Sequence, residues 1–242
     1  MSPCSSETFL ISKNWTTPIA TFGKNIGRLV LDLFKQILGD TISIFTIMNP
    51  LSVGVIMLSL LDENVSKAEI KATAAKTSKA AFVTMLIIFL VGTYVFEFFG
   101  ITPHGLRVFG GIILLLMGFN MVQGHGKRVN HNAKDQLAAQ EREDISIVPL
   151  GIPVTVGAGL ATTILTMSIG ASTWQDYLSG VVAIIICSLA ALIILGRMPF
   201  IKKSLGTNGL KIFNRLMGLI VGSLAAQMII SGLAALVKIY YV

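Results

Sequence analysis

The sequence predicts an all-α membrane protein: six transmembrane helices arranged as two inverted three-helix repeats, with helices one and four broken. Three observations predict it. Of the 242 residues, 53% are hydrophobic and only 13% charged, about half of the roughly 25% charged share of soluble domains and too little for a water-facing surface. Asp, Glu, Lys and Arg are absent from six long stretches, 41–61, 80–96, 108–126, 145–175, 177–196 and 216–237. Each is close to or above the ~20 apolar residues that carry an α-helix across a ~30 Å hydrocarbon core. Finally, the second half repeats residue patterns of the first at a nearly constant distance. A transmembrane β-barrel would show alternating segments of about ten residues, and none of the six stretches alternates.

Residues 1–36 precede the first repeat. Positions 2–17 are polar and lack the apolar core of a secretory signal. Ile26, Leu29, Val30, Leu33, Phe34 and Ile37 then recur at helical spacing, opposite Lys24, Arg28, Asp32 and Lys35, the pattern of a helix lying at the membrane surface. The first repeat covers 37–122. Its first connector, 62–79, is charged and opens with Asn64 or Ser66 as a helix cap. Its second link, 100–105, contains Pro103. A polar loop follows at 123–144, and the second repeat occupies 145–242. His125 and His131 in that loop have no third ligand at a recognised spacing, so no metal is expected. Cys4 lies in the polar tail and Cys187 in the middle of a span, so a bridge between them is not expected.

The net charge of +7 comes from basic residues clustered beside the spans, which membrane orientation explains without nucleic acid. Loops one, three and five carry thirteen Lys and Arg, against six on the other side. That bias places those three loops in the cytoplasm and both termini outside.

The repeat is carried by two matches. Pro50-Leu51-Ser52-Val53-Gly54 in the first span corresponds to Pro153-Val154-Thr155-Val156-Gly157 in the fourth, 103 residues on. Leu106-Arg107-Val108-Phe109 before the third corresponds to Leu210-Lys211-Ile212-Phe213 before the sixth, 104 residues on, and the same offset pairs Gly118 with Gly222 and Gln123 with Gln227. Three spans per half force the second half to enter the membrane from the opposite side. Proline removes a backbone donor and obstructs a helix, and backbone groups freed inside hydrocarbon must find partners or line a polar cavity. Secondary transporters place substrate at such paired breaks.

Asn49-Pro50, Phe109-Gly110-Gly111-Ile112, Val148-Pro149-Leu150-Gly151-Ile152-Pro153 with Gly157-Ala158-Gly159, and Arg215-Leu216-Met217-Gly218-Leu219 together resemble the MarC family of bacterial and archaeal inner-membrane proteins, over roughly residues 36–240. Ala158 stands where that family commonly has proline. The resemblance implies a six-span transporter, since such families include SnatA-type carriers of small neutral amino acids.

Three function classes stay open: a secondary carrier, a channel, and a membrane protein of MarC type without transport activity. No His-Glu-x-x-His, Gly-x-Ser-x-Gly or phosphate-binding Gly-x-x-x-x-Gly-Lys-Ser/Thr is present, so neither an enzyme nor a nucleotide-driven pump is expected, and no cofactor. The carrier reading places substrate at Asn49, Pro50, Ser52, Gly54, Pro153, Thr155, Gly157 and Gly159. A half-helix N-terminus offers N–H groups to a carboxylate, and Asn49, Ser52, Thr155 and unwound carbonyls offer acceptors to an ammonium group. No carboxylate lies near mid-span, which disfavours a cationic substrate. The expected partners are a small neutral amino acid, the lipid bilayer and a coupling ion, proton or sodium, with Asp40, Glu97 and His104 at span edges as the few candidate proton carriers. Gly218 and Gly222 form a Gly-x-x-x-Gly pair, read as close packing within one subunit, with an oligomer seam as the alternative.

Overall fold

A computed structural model describes residues 17–61, 65–100, 102–124 and 155–241. Pro153, Asn64, His125 and His131 lie outside them. Seven α-helices are present among the described residues: α1 (Thr17–Met48), α2 (Pro50–Leu60), α3 (Lys67–Phe98), α4 (Pro103–Val122), α5 (Ala158–Gly170), α6 (Trp174–Gly196) and α7 (Met198–Tyr241). Leu29–Leu60, Lys67–Phe96, Pro103–Val122, Trp174–Gly196 and Met198–Ile239 are long and apolar enough to cross a bilayer, and α5 is a shorter apolar helix. The chain is a multi-pass, all-helical membrane protein.

Local chemistry sets the helix starts. Ser66 caps α3 in a reciprocal box, its Oγ accepting from Glu69 N at 3.1 Å while Ser66 N donates to Glu69 Oε2 at 3.3 Å. Thr102 caps α4 ahead of Pro103, accepting from Gly105 N at 3.3 Å. Thr173 and Asp176 form the same box at α6. Two connectors are more helical than their charges suggest. The basic segment 198–215 belongs to α7, whose helix is bent at Gly206 (φ 63°), and most of 62–79 is the first part of α3. Charged residues end a span, but an emerging helix keeps its backbone bonds and continues into water.

Met1–Lys35 and Gln36–Val242 form separate compact units. Within the first, Leu29, Val30 and Phe34 are exposed. The second holds the bundle. Its halves meet through six helix pairings: α4–α7, α3–α6, α4–α5, α3–α5, and α2 with both α6 and α7. Ile44, Met48, Phe89, Leu114, Val156, Leu160, Ile184 and Val221 are all buried in one apolar cluster. A second cluster gathers Val53, Met57, Ile70, Leu195, Met198 and Leu210. Phe89 fills the notch left by Gly180, where a Cβ would come within 2.3 Å of its ring, and meets Tyr177 edge-on at 6.0 Å. Ile87, Leu116, Phe119, Ile193 and Leu219 point outward, as lipid-facing side chains do.

Candidate functional site

Between Met48 and Pro50 the chain turns through Asn49, at φ 44° and ψ 68°. It is the one non-glycine residue with positive φ among the described residues. A left-handed residue costs roughly 1–2 kcal/mol unless it is Gly or, at times, Asn or Asp, whose short polar side chains bond locally. Pro50 then opens α2, where its missing N–H is not needed. Asn49 N closes α1 on Phe45 O at 3.0 Å, and Asn49 O receives Ser52 N at 3.0 Å and Val53 N at 3.2 Å. Asn49 thus closes the hydrogen-bonded ladder of α1 with its N–H and opens that of α2 with its carbonyl.

The side chain of Asn49, only 4% exposed, works in two directions. Its Oδ1 accepts from Ser52 N at 3.4 Å, capping α2. Its Nδ2 donates to Asn214 Oδ1 of α7 at 2.8 Å, and Ser52 Oγ donates to the same oxygen. The half-buried Asn214 was not among the residues picked out by sequence reasoning. It sits between Lys211 and Arg215, in a segment whose charges read as a loop. The available signal was an isolated amide in a run otherwise apolar or basic. Gly54, one turn into α2, faces Met198 Sδ, which a Cβ would meet at 2.6 Å.

The corresponding part of the second half is built differently. Thr155 and Val156 are buried, at 2% and 6% exposure, and α5 starts at the N-cap Gly157 (φ −69°, ψ 171°) with no side-chain cap. The first backbone bond of that helix runs from Ala161 N to Gly157 O at 3.0 Å. The amides of Ala158, Gly159 and Leu160 therefore precede the helical ladder, at the positive end of its dipole. Thr162 and Thr163 fold their hydroxyls back onto Ala158 O (2.6 Å) and Gly159 O (2.9 Å). Gly159 gives way to Leu114 of α4, whose Cδ2 would be 2.8 Å from a Cβ there. Met48, beside Asn49, and Val156, beside Thr155, share one buried cluster. The two sequence-predicted groups thus border the same core, and Asn49 and Ser52 are joined there by Asn214. Among the described residues no group of three or more His, Cys, Asp or Glu is placed to hold a metal ion.

Comparison with known proteins agrees with the membrane architecture. The family model described as "MarC family integral membrane protein" matches residues 34–237. A UPF0056 membrane protein of Aquifex aeolicus is 32% identical over 220 residues, covering 91% of this chain and 99% of the relative. The UPF0056 membrane protein YvbG of Bacillus subtilis is 31% identical, covering 83% of this chain and 95% of its own. The UPF0056 inner membrane protein MarC of Escherichia coli is 29% identical, covering 88% and 100% respectively. No solved structure matches the chain.

Proposed function

This chain belongs to the MarC family of integral membrane proteins, and we propose that it is a secondary transporter of small neutral amino acids of the glycine and alanine kind, in an inner membrane with both termini outside the cytoplasm. The observation that carries the reading is the turn at Asn49: a buried, left-handed residue in the first span whose side-chain amide bonds to Asn214 of the last. Polar side chains at an interrupted span are where carriers hold substrate.

An inverted repeat would give this interruption a counterpart at the start of α5. Exchanging spans one and four, two and five, and three and six turns the six pairings between the halves into themselves. α4–α7 and α3–α6 map onto themselves, α2–α6 onto α3–α5, and α2–α7 onto α4–α5. Gly118 and Gly222, equivalent in the repeat, also touch: a Cβ on Gly118 would lie 2.8 Å from Gly222 N. Self-pairs meet where a two-fold axis passes. Ile42-Ser43-Ile44 and Ile145-Ser146-Ile147 add a further sequence match at the offset of 103.

In this mechanism the amides before the α5 ladder take the substrate carboxylate, with Thr155, Gly157 and Gly159 shaping the approach. The ammonium group competes for Asn214 Oδ1, which Asn49 Nδ2 and Ser52 Oγ now occupy. A cargo that displaces those donors unlinks α2 from α7, which couples binding to movement of one half against the other. Without a fixed carboxylate at this point, a cationic amino acid has no partner for its second charge. Uptake of labelled alanine, glycine and arginine into proteoliposomes tests the reading. Saturable alanine uptake weakened by Asn49→Ala and Thr155→Val is expected. Unsaturable flux would favour a channel, and no flux a MarC-type protein without transport activity.

A further inference from the structure

An open cavity of 250 Å³ lies away from the Asn49 turn, lined by Gln36 and Asp40 of α1, Phe89 of α3, Arg107 of α4, Gly170 at the end of α5 and Asp176 in the first turn of α6. Its three charged residues do different work. Asp176 is used up by the fold. Its Oδ2 accepts from Ser172 N, Thr173 N and Thr173 Oγ1 at 2.8–3.0 Å, and its Oδ1 from Gln36 Nε2 at 2.7 Å. Asp40 receives the Ser179 hydroxyl on Oδ2 at 2.5 Å, which leaves its acceptor capacity largely unspent, since an ionised carboxylate has about four lone-pair sites. Arg107, half-buried, has no carboxylate partner within ion-pair distance among the described residues. Gly170 leaves room for its guanidinium, with Nη2 3.5 Å from where a side chain would begin.

With Asp176 committed to the fold's own donors, Asp40 and Arg107 are the acid and base whose bonding capacity is left for a ligand, and they suit one that carries both charges. A plain cation would sit beside Arg107, and a plain anion beside Asp40; either meets repulsion that a zwitterion avoids. Membrane-embedded charges are costly and mark ligand or ion paths. The repeat adds a sequence observation: Arg107 corresponds to Lys211 at the offset of 104.

We propose that this cavity is a second, entry site for a small zwitterionic amino acid, with Arg107 binding the carboxylate and Asp40 the ammonium group. Its cargo rests on the carrier reading above, but its location does not depend on the Asn49 turn. The test uses the full chain with labelled L-alanine, measuring equilibrium binding in detergent and uptake in proteoliposomes. Arg107→Gln and Asp40→Asn are each expected to raise Kd and KM by about tenfold or more, the loss of one charge-assisted hydrogen bond, with kcat little changed. Arg107→Lys should recover part of the loss. Gly170→Val, which fills the space before the guanidinium, gives the same expected KM rise if Arg107→Gln does not fold. Propionate and ethylamine, each with one of the two charges, should compete far more weakly than glycine.

Unchanged Kd and KM in these variants, or propionate competing as well as glycine, would overturn the site and leave the carrier reading intact. A fall in kcat with KM unchanged would also overturn it, giving Asp40 to coupling instead. Alanine binding that Arg107→Gln weakens, in a protein that moves no alanine, would refute the carrier reading and leave the site standing. Neither binding nor uptake by the unaltered protein refutes both.

Discussion

Two of the contacts that helix α7 makes with the bundle are unlike. Against α4 it packs backbone on backbone. A Cβ on Gly218 would lie 2.9 Å from Gly118 O, one on Gly111 3.0 Å from Ala225 O, and one on Gly232 3.0 Å from His104 O. At the α1–α2 turn the polar contact is Asn214, which accepts two hydrogen bonds. The glycine seam gains its energy from close van der Waals contact, the main source of helix association in lipid. Any opening forfeits those contacts with nothing to replace them. The amide junction can exchange its donors for water or a ligand at little net cost, because a hydrogen bond contributes only about 0.5–1.5 kcal/mol net. On the carrier reading, the seam is the contact that stays closed and the junction the one that opens.

The largest expected effect breaks the seam. Gly118→Val would drive a side chain into Gly218 O and Gly222 N, both 2.8 Å from its Cβ. The obstacle is backbone on both sides, so relief requires the helices to part. A cost of about 3 kcal/mol or more is expected, the upper end for overpacking. It would be read as a lower unfolding midpoint in detergent and reduced yield from the membrane. A variant as stable as the parent would mean that α4 and α7 are not held at this distance.

Breaking the junction should cost less stability and more function. Asn214→Leu strands Asn49 Nδ2 and Ser52 Oγ, and leaving buried polar groups unpaired costs about 1–3 kcal/mol. Alanine uptake should fall well beyond what the loss of folded protein explains. Equal proportional losses of both would show the junction to be ordinary packing, no different in kind from the seam.

What the sequence revealed of these contacts follows from how each is encoded. Five of the six expected spans were legible because lipid excludes charge, so the gaps in Asp, Glu, Lys and Arg mark them directly, while in the fourth gap the described helix, α5, is shorter than a bilayer crossing requires. The Asn49 turn was legible because Pro50 cannot continue a helix from inside, and the seam because glycine has few other uses in a span. Asn214 was not legible. Its partner is 165 positions away, and its neighbours Lys211 and Arg215 read as a loop, whereas α7 is already helical there. The Asp40–Arg107 cavity was hidden for a similar reason: each residue alone looks like a span-edge charge, and only the packing of α1, α4 and α5 places them together.

A finer comparison separates conformation from hydrogen bonding at the turn itself. Asn49→Gly loses the bonds to Asn214 and Ser52 N but keeps a residue at ease at φ 44°, whereas Asn49→Ala loses the bonds and adds left-handed strain. Alanine should therefore be less stable than glycine by about 1 kcal/mol, from the left-handed penalty, while both impair uptake similarly. If glycine and alanine are equally stable, the turn relaxes out of the left-handed region once its side chain is gone.

The smallest effect is expected inside the seam, where the two members of Gly-x-x-x-Gly part company. A Cβ on Gly218 would meet Met121 Cβ at 2.7 Å and Val122 N at 3.0 Å, while one on Gly222 meets nothing within 4 Å. Gly222 matters to α4 through its backbone, which lies against Gly118, and that backbone is the same in alanine. Its own Cβ direction is open. Gly222→Ala should then change stability by no more than about 1 kcal/mol, with the sign toward stabilisation because alanine is the better helix former. Gly218→Ala should destabilise measurably. The pair of unfolding midpoints, compared with that of the unaltered protein, decides it. A large loss from Gly222→Ala would mean that a surface outside this bundle, such as a second copy of the chain, packs against that open side.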